Sequence, residues 1–306
     1  MKTVVFAYHN MGLVGLEALK RHGFDIAAVF THEDDPRENV WFGSVKDWAK
    51  REGLETHTPD EVNAMRWIER IAMMNAEAIF SFYYRKMICH EILELPRVGA
   101  FNLHGSLLPA YRGRCPVNWV IINGETQTGV TLHYMVEKPD AGDIVGQRAV
   151  DIAPTDTAKS LYDKLCGAAA ELLDDYLPLI KQETIPRRRQ DLEKGSYFGG
   201  RRPEDGRIDW KKSAREIYNL IRGVTEPYPG AYALMRDGTK VIIWTAEPVE
   251  SDESAKVGEL ILKNKDVLVQ TGKDAIRLLD IDVGGQRLKA GQIHDYFSKN
   301  TERELK

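Results

Sequence analysis

The chain has 306 residues, of which 43% are hydrophobic and 29% charged, with a formal net charge of -4. That length suits two domains, because single hydrophobic cores rarely grow past ~250 residues. The balance lacks the basic surplus typical of nucleic-acid binders, which argues against nucleic acid as a partner.

Residues 3–8, Thr-Val-Val-Phe-Ala-Tyr, form a continuous apolar run and predict a strand buried on both faces. This start is too short and polar-flanked for a signal peptide, and no apolar run approaches the ~20 residues that span a bilayer. A cytoplasmic chain without membrane insertion is expected. Leu13, Leu16 and Leu19 then recur near helical spacing. Gly12 and Gly15 do not fit G-x-G-x-x-G, so nicotinamide binding is not expected. Residues 25–30 predict a second strand, and 44–52 a helix carrying Trp48 and Ala49. Val62, Met65, Ile68, Ile71 and Ala72 share one face of a helix over 62–75. Residues 78–82 and 98–103 read as two further buried strands. This alternation predicts βαβ units in a Rossmann-like, mostly parallel sheet flanked by helices.

Residues 131–136 alternate, enter a turn-rich loop at 137–143, and return as a strand over 144–152, an antiparallel addition. A long helix follows over 157–180, with Leu161, Leu165, Ala169, Leu172, Tyr176 and Leu179 on one face. Pro178 is expected to end or kink it. Residues 186–206 are rich in proline, glycine and arginine and read as a linker between a first domain at 1–185 and a second at 207–306. Arg187, Arg188, Arg189, Arg201 and Arg202 read as solvated cations of that linker rather than phosphate contacts. Beyond it come a helix over 213–222 and short β runs at 231–235, 240–246, 257–262, 266–270 and 275–283. Their close spacing predicts a small β-barrel.

Chemistry concentrates at 102–113. Asn102 and His104 stand two apart at the end of a strand, so their side chains share a face. An amide donor and an imidazole in one small volume suit acyl transfer: one holds an oxyanion, the other moves a proton. In open parallel sheets, ligands bind beyond the carboxyl ends of the strands. Phe82-Tyr83-Tyr84-Arg85 follows another strand and opens onto the same rim, its aromatics reading as core and rim. His9 and Asn10 also sit at this rim and are candidates to contact an amine substrate. His133 reads as structural, and Asp140, taken alone, as a turn residue. The eight histidines and the three cysteines, Cys89, Cys115 and Cys166, show no metal-ligand spacing and no disulfide framework. No metal is expected.

Ser106-Leu107-Leu108-Pro109-Ala110-Tyr111-Arg112-Gly113 resembles the SLLPxYRG signature of the folate-dependent formyltransferases. Phe6-Ala7-Tyr8-His9, residues 80–85 and residues 101–106 carry further matches, and Pro227-Tyr228-Pro229-Gly230-Ala231 resembles the start of the family's OB-like C-terminal domain. The likeness covers essentially the whole chain. It implies transfer of a formyl group from 10-formyltetrahydrofolate to a primary amine. It implies that Asn102 steadies the oxyanion, that His104 carries the proton, and that Asp140 raises the pKa of His104 and fixes its ring. It implies folate contacts from Lys86, Met87, Ile88, Arg114, Val136, Glu137, Lys138, Pro139 and Asp140, many of them through the backbone.

Within the family the chain is most similar to the formyltransferase half of bifunctional polymyxin-resistance proteins. That implies UDP-4-amino-4-deoxy-L-arabinose as acceptor, lipid A modification as context, and a fused or separate UDP-glucuronate decarboxylase as partner. Such proteins often continue into that NAD-dependent decarboxylase, whereas this sequence stops at Lys306; a stand-alone enzyme or one half of a larger one is expected. The segment from Thr31 to Asp47 is short and acidic, where methionyl-tRNA formyltransferases tend to carry a longer basic loop, and this favours a sugar acceptor. Another UDP- or dTDP-amino sugar, methionyl-tRNA, and a non-catalytic folate- or nucleotide-binding role stay open as alternatives.

Overall fold

The computed structural model describes residues 1–36, 38–251, 255–300 and 304–306. They form two compact units: Met1–Pro116, Gln127–Asp151 and Tyr162–Gly199 in the first, and Val117–Thr126, Ile152–Leu161 and Gly200–Lys306 in the second.

The first unit opens with β1 (Lys2–Ala7), α1 (His9–Arg21), β2 (Asp25–Phe30), α2 (Val45–Arg51), β3 (Thr56–His57), α3 (Met65–Met73), β4 (Ala78–Phe82), α4 (His90–Leu93) and β5 (Gly99–His104). The two-residue β6 (Arg112–Gly113) follows, and then β7 (Gln127–Tyr134) and β8 (Ile144–Asp151). Seven of these strands make one sheet in the order β3-β2-β1-β4-β5-β7-β8. The first five run parallel, and β7 and β8 are antiparallel, as the sequence pattern predicts. Val4, Val5, Phe6 and Ala7 of β1 are fully buried, which is why that strand shows no alternation. Phe6 stacks on Phe30, and Phe80 on Phe82 and Phe101, at 5.1, 5.8 and 5.4 Å between ring centres. Each wholly buried phenylalanine contributes ~1.5–3 kcal/mol relative to exposure. The row fixes the lateral position of β2, β1, β4 and β5, and so aligns their carboxyl ends.

The chain leaves this unit within α5 (Pro116–Ile122), returns for β7 and β8, leaves again at Ile152 and re-enters within α6 (Ala158–Lys181). Pro178 neither ends nor interrupts α6, which runs three residues further; Gln182 N–H still bonds the Pro178 carbonyl at 3.0 Å. In the last turn a proline forfeits few backbone bonds.

Residues 186–199 differ from the linker expected of them. Arg188 exchanges both backbone hydrogen bonds with Ile144, at 2.7 and 2.9 Å, and β9 (Tyr197–Phe198) pairs in parallel with β6. These two-residue pairings are too short to leave a period in the sequence. The expected boundary at 185 differs for the same reason, and because residues 117–126 and 152–161 fold with the second unit.

The second unit contains α7 (Ala214–Val224), β10 (Ala231–Leu234), β11 (Lys240–Val249), β12 (Leu260–Lys263), β13 (Asp266–Gln270), β14 (Ala275–Val283), β15 (Gln286–Lys289) and α8 (Gly291–Lys299). Its strands pair antiparallel in the order β10-β11-β14-β13-β12, with β15 beside β14. Lys306 exchanges two 2.8 Å bonds with Leu234, and Leu305 N–H donates to the Gly258 carbonyl at 2.8 Å. Residues 304–306 thus bond the end of β10 and the residues just before β12. Residues 117–126 and 152–161 are tied in by Asn118 Nδ2 on the Gly223 carbonyl at 2.8 Å and by buried Arg222, whose Nη1 bonds the carbonyls of Ala153 and Asp156 at 3.3 and 2.9 Å.

Candidate active site

The carboxyl ends of β1, β4 and β5 lie side by side in the first unit. Several residues just beyond them hold left-handed backbone: His9 at φ +66°, Tyr83 at +60°, Tyr111 at +57°, Cys115 at +54° and Asp140 at +52°. Such conformations persist only where surrounding structure enforces them, and they cluster at functional sites.

β5 supplies Asn102 and His104. The antiparallel register of β7 sets His133 opposite Asn102 and Thr131 opposite His104. The loop after β7 supplies Asp140. Gly142 allows this loop to close, because a Cβ there would lie 1.9 Å from the Tyr134 carbonyl oxygen. The loop 106–113 is held by Ser106 Oγ on the Ala110 carbonyl at 2.6 Å and by Thr131 Oγ1 on the Ser106 carbonyl at 2.6 Å. Tyr111 stacks on Phe198 at 4.9 Å and takes the Ser196 hydroxyl on its N–H, which aims its own carbonyl at His104.

The side chains converge. His104 Nδ1 lies 3.5 Å from Asp140 Oδ1, and Asn102 Nδ2 lies 3.5 Å from the same oxygen. Asp140 Oδ2 accepts the Gly113 N–H at 2.9 Å. His104 Nε2 is 2.8 Å from the Tyr111 carbonyl. A carbonyl only accepts, so Nε2 carries the proton of the neutral ring and Nδ1 is the basic nitrogen. The same reasoning applies to His133: Nδ1–H donates to the Tyr134 carbonyl at 2.8 Å, leaving Nε2 to accept from Asn102 Nδ2 at 3.1 Å. That bond uses one of the two amide hydrogens of Asn102. The other faces Asp140.

Burial sets the proton equilibrium of His104. It pushes the pKa down, opposed by the Asp140 carboxylate and the Tyr111 carbonyl and assisted by His133. Burial pushes Asp140 up, but the charge His104 carries once protonated and the Gly113 N–H outweigh it and hold the carboxyl below the usual range. Asp140 is therefore a fixed anion, beside an imidazole that rests neutral and gains a partner when it takes a proton.

The residues expected to meet folate divide. A cavity of about 310 Å³ is lined by Asp60, Glu61, Val62, Asn63, Arg85, Lys86, Met87 and Arg114. Lys86 Nζ is bound to the Pro59 and Asp60 carbonyls, so its side chain braces the wall. Met87 is exposed, Ile88 packs into the core and offers only backbone, and Arg114 is exposed. Val136, Glu137, Lys138 and Pro139 are outside that lining, on the loop leading to Asp140. A cavity of about 350 Å³ beside Ile144, Tyr176 and Arg188 is larger but holds none of the expected residues. The smaller one has Met87 and Val62 beside the cations Arg85, Lys86 and Arg114 and the carboxylates of Asp60 and Glu61.

His9 and Asn10 organise a loop. Asn10 Oδ1 accepts the Gly43 N–H at 2.8 Å, and the His9 ring lies 3.9 Å from Phe42 and 4.5 Å from Trp41. Tyr162 OH bridges His9 Nδ1 at 2.5 Å and the Met11 N–H at 2.9 Å. Sequence reasoning missed the Tyr111 carbonyl and the Gly113 N–H, backbone groups with no sequence signal, and took His133 as structural; pairing 131–136 against 98–103 would have placed it opposite Asn102. Among the described residues, no group of three or more His, Cys, Asp or Glu side chains is placed to hold a metal, and no helix is long and apolar enough to cross a membrane.

An amide, a buried imidazole and a carboxylate at the carboxyl edge of a mostly parallel α/β sheet are groups suited to acyl transfer. The sequence model of the formyl transferase family matches residues 1–177, and that of the formyl transferase C-terminal domain matches 201–297. The chain belongs to this family and is a formyltransferase. An N-formyltransferase from Helicobacter canadensis, solved with folinic acid and dTDP-3-aminofucose, has 22% identity and a TM-score of 0.68 over 91% of this chain and 99% of its own. WlaRD, a sugar 3N-formyltransferase solved with dTDP and 5-N-formyl-THF, has 21% identity and a TM-score of 0.66 over 91% and 97%. HypX from Aquifex aeolicus, in complex with tetrahydrofolic acid, has 17% identity and a TM-score of 0.65 over 98% of this chain and 48% of its own. At these identities the likeness is one of fold.

Proposed function

We propose that this formyltransferase moves the formyl group of 10-formyltetrahydrofolate to the primary amine of a nucleotide-linked amino sugar, with UDP-4-amino-4-deoxy-L-arabinose as the first candidate. The observation that carries the reading is the convergence of Asn102 and His104 on one oxygen of Asp140, each at 3.5 Å. The cavity beside Lys86, Met87 and Arg114 suits the pterin, with Ile88 and the 136–140 loop offering backbone. The folate ligands of the structural relatives support that donor, and their sugar-nucleotide ligands support the acceptor class. The acidic segment 31–47 supports a sugar over tRNA. The UDP-arabinose choice rests on the resemblance to polymyxin-resistance proteins and would tie the reaction to lipid A modification.

The donor supplies an electrophilic formyl carbon. His104 takes the proton of the attacking amine on Nδ1, where Asp140 stabilises the imidazolium, and returns it to the leaving nitrogen. Asn102 offers the amide hydrogen not held by His133 to the developing oxyanion. Removing such a donor costs about 100–1000-fold in rate.

The test incubates the protein with 10-formyltetrahydrofolate and UDP-4-amino-4-deoxy-L-arabinose, dTDP-amino sugars or methionyl-tRNA, and reads product mass. Formylated UDP-sugar is expected. A formylated dTDP-sugar would redirect the nucleotide assignment, and formyl-methionyl-tRNA as sole product would overturn the acceptor class.

A further inference from the structure

We propose that Gln190 is a positioning residue for formyl transfer, clamping the turn that presents the Asp140 carboxylate to His104. The inference rests on the site roles proposed above. Gln190 is 7% exposed. Its Nε2 donates to the Asp140 carbonyl at 3.0 Å and to the Gly142 carbonyl at 2.5 Å. Both neighbours are acceptors, so the carboxamide has one allowed orientation; a flip would set its oxygen against two carbonyl oxygens. One side-chain nitrogen therefore ties together both ends of a three-residue turn.

That turn needs a clamp. Asp140 sits at φ +52°, a conformation a non-glycine residue keeps only under outside constraint. The turn's own backbone bond, Ala141 N–H on the Lys138 carbonyl, is long at 3.3 Å. Gly142 is pressed against the Tyr134 carbonyl, which blocks movement one way but does not hold the turn. Gln190 supplies the missing hold from fifty residues along the chain, on a segment docked by the paired backbone bonds of Arg188 and Ile144. The stretch whose composition reads as linker thus braces the active site. Asp140 has little positional slack: Oδ1 lies 3.5 Å from both His104 Nδ1 and Asn102 Nδ2 while Oδ2 accepts the Gly113 N–H at 2.9 Å. A misplacement of about 1 Å at such a centre costs on the order of 100-fold in rate.

The variant Gln190→Leu keeps most of the volume and removes both donors; Gln190→Glu, ionised, also cannot donate and serves if the leucine variant fails to fold. Two readouts on the whole chain are compared in the wild-type and Asp140→Asn backgrounds. The first is the titration of His104 by imidazole nitrogen NMR, with His133 and Asp140 the titratable groups that face it. The second is kcat for formyl transfer, alongside KM for the amine. Loosening the turn is expected to lower the His104 midpoint and to cut kcat about 10- to 100-fold with KM changed less than about threefold. In the Asp140→Asn background, the same substitution is expected to move the midpoint no further and to change kcat less than about twofold. A folded Gln190 variant with an unmoved His104 midpoint, or one with equal losses in both backgrounds, would overturn the proposal. The titration decides the positioning role by itself; a wild-type protein that titrates as expected but transfers no formyl group contradicts the functional reading instead.

Discussion

Replacing Asp140 by asparagine removes the negative charge and sets an amide nitrogen where Oδ1 faced His104 and Asn102. Asparagine tolerates the left-handed backbone found at this position, φ +52°, and its carbonyl oxygen can still accept the Gly113 N–H. What disappears is a carboxylate 3.5 Å from His104 Nδ1. At that separation the attraction on a protonated ring is about 5 kcal/mol for an effective dielectric of about 20, and about 1 kcal/mol for full water screening. The His104 pKa should therefore fall further when the carboxylate is removed. The sign is fixed: the anion favours the charged ring, so its loss extends the neutral, proton-accepting form to lower pH. The assay is kcat/KM against pH, whose acid limb reports His104 in the free enzyme. The limb should move to lower pH while the plateau rate drops about 100-fold or more, because the imidazolium formed in the reaction has lost its counter-ion. A limb that stays in place or moves to higher pH would refute the assigned pairing.

Two further predictions concern the same unit. Burial, with Lys86 and Arg85 nearby, holds the His32 pKa down to about 4. The folded state therefore resists protonating this ring while the unfolded chain does not, so its contribution to stability is complete above pH ~6.5 and is lost as pH falls toward 4. Discounted for the ring's partial exposure, the loss is about 1–2 kcal/mol. Urea unfolding at pH 7 and pH 5 should show it, and His32→Gln, which keeps an acceptor for the Arg85 N–H, should flatten it; an unchanged pH slope would count against the assignment. Gly142→Ala would place a methyl group 1.9 Å from the Tyr134 carbonyl oxygen. A shift of that loop should cost about 1–3 kcal/mol of stability and lower kcat together, and a variant with wild-type Tm and rate would contradict the close approach.

The legible part of this protein was the part with periodicity or unusual chemistry. The apolar runs at 3–8, 78–82 and 98–103 predict buried parallel strands because covered faces leave no alternation. Asn102 and His104 stand out because a strand ending in an amide and an imidazole is chemically unusual. Asp140 is silent by itself, since a turn after proline accounts for it; the family resemblance singled it out. Residues 186–199 misled because two-residue pairings and one buried glutamine leave no pattern, while arginine, proline and glycine look like a tether. The segments 117–126 and 152–161 fold with the second unit through single side chains, Asn118 and Arg222, which no local signal predicts. His9 and Asn10 were located at the rim, but their work on the Trp41–Gly43 loop depends on residues more than thirty positions away.

The proposed reaction requires the buried imidazole of His104 to carry the proton of formyl transfer. Single-turnover rates for wild type and His104→Ala, with donor and amine both saturating, test it most directly. The rate should fall about 100-fold or more, with donor affinity within a few-fold of wild type. A rate retained within a few-fold in the alanine variant would contradict it.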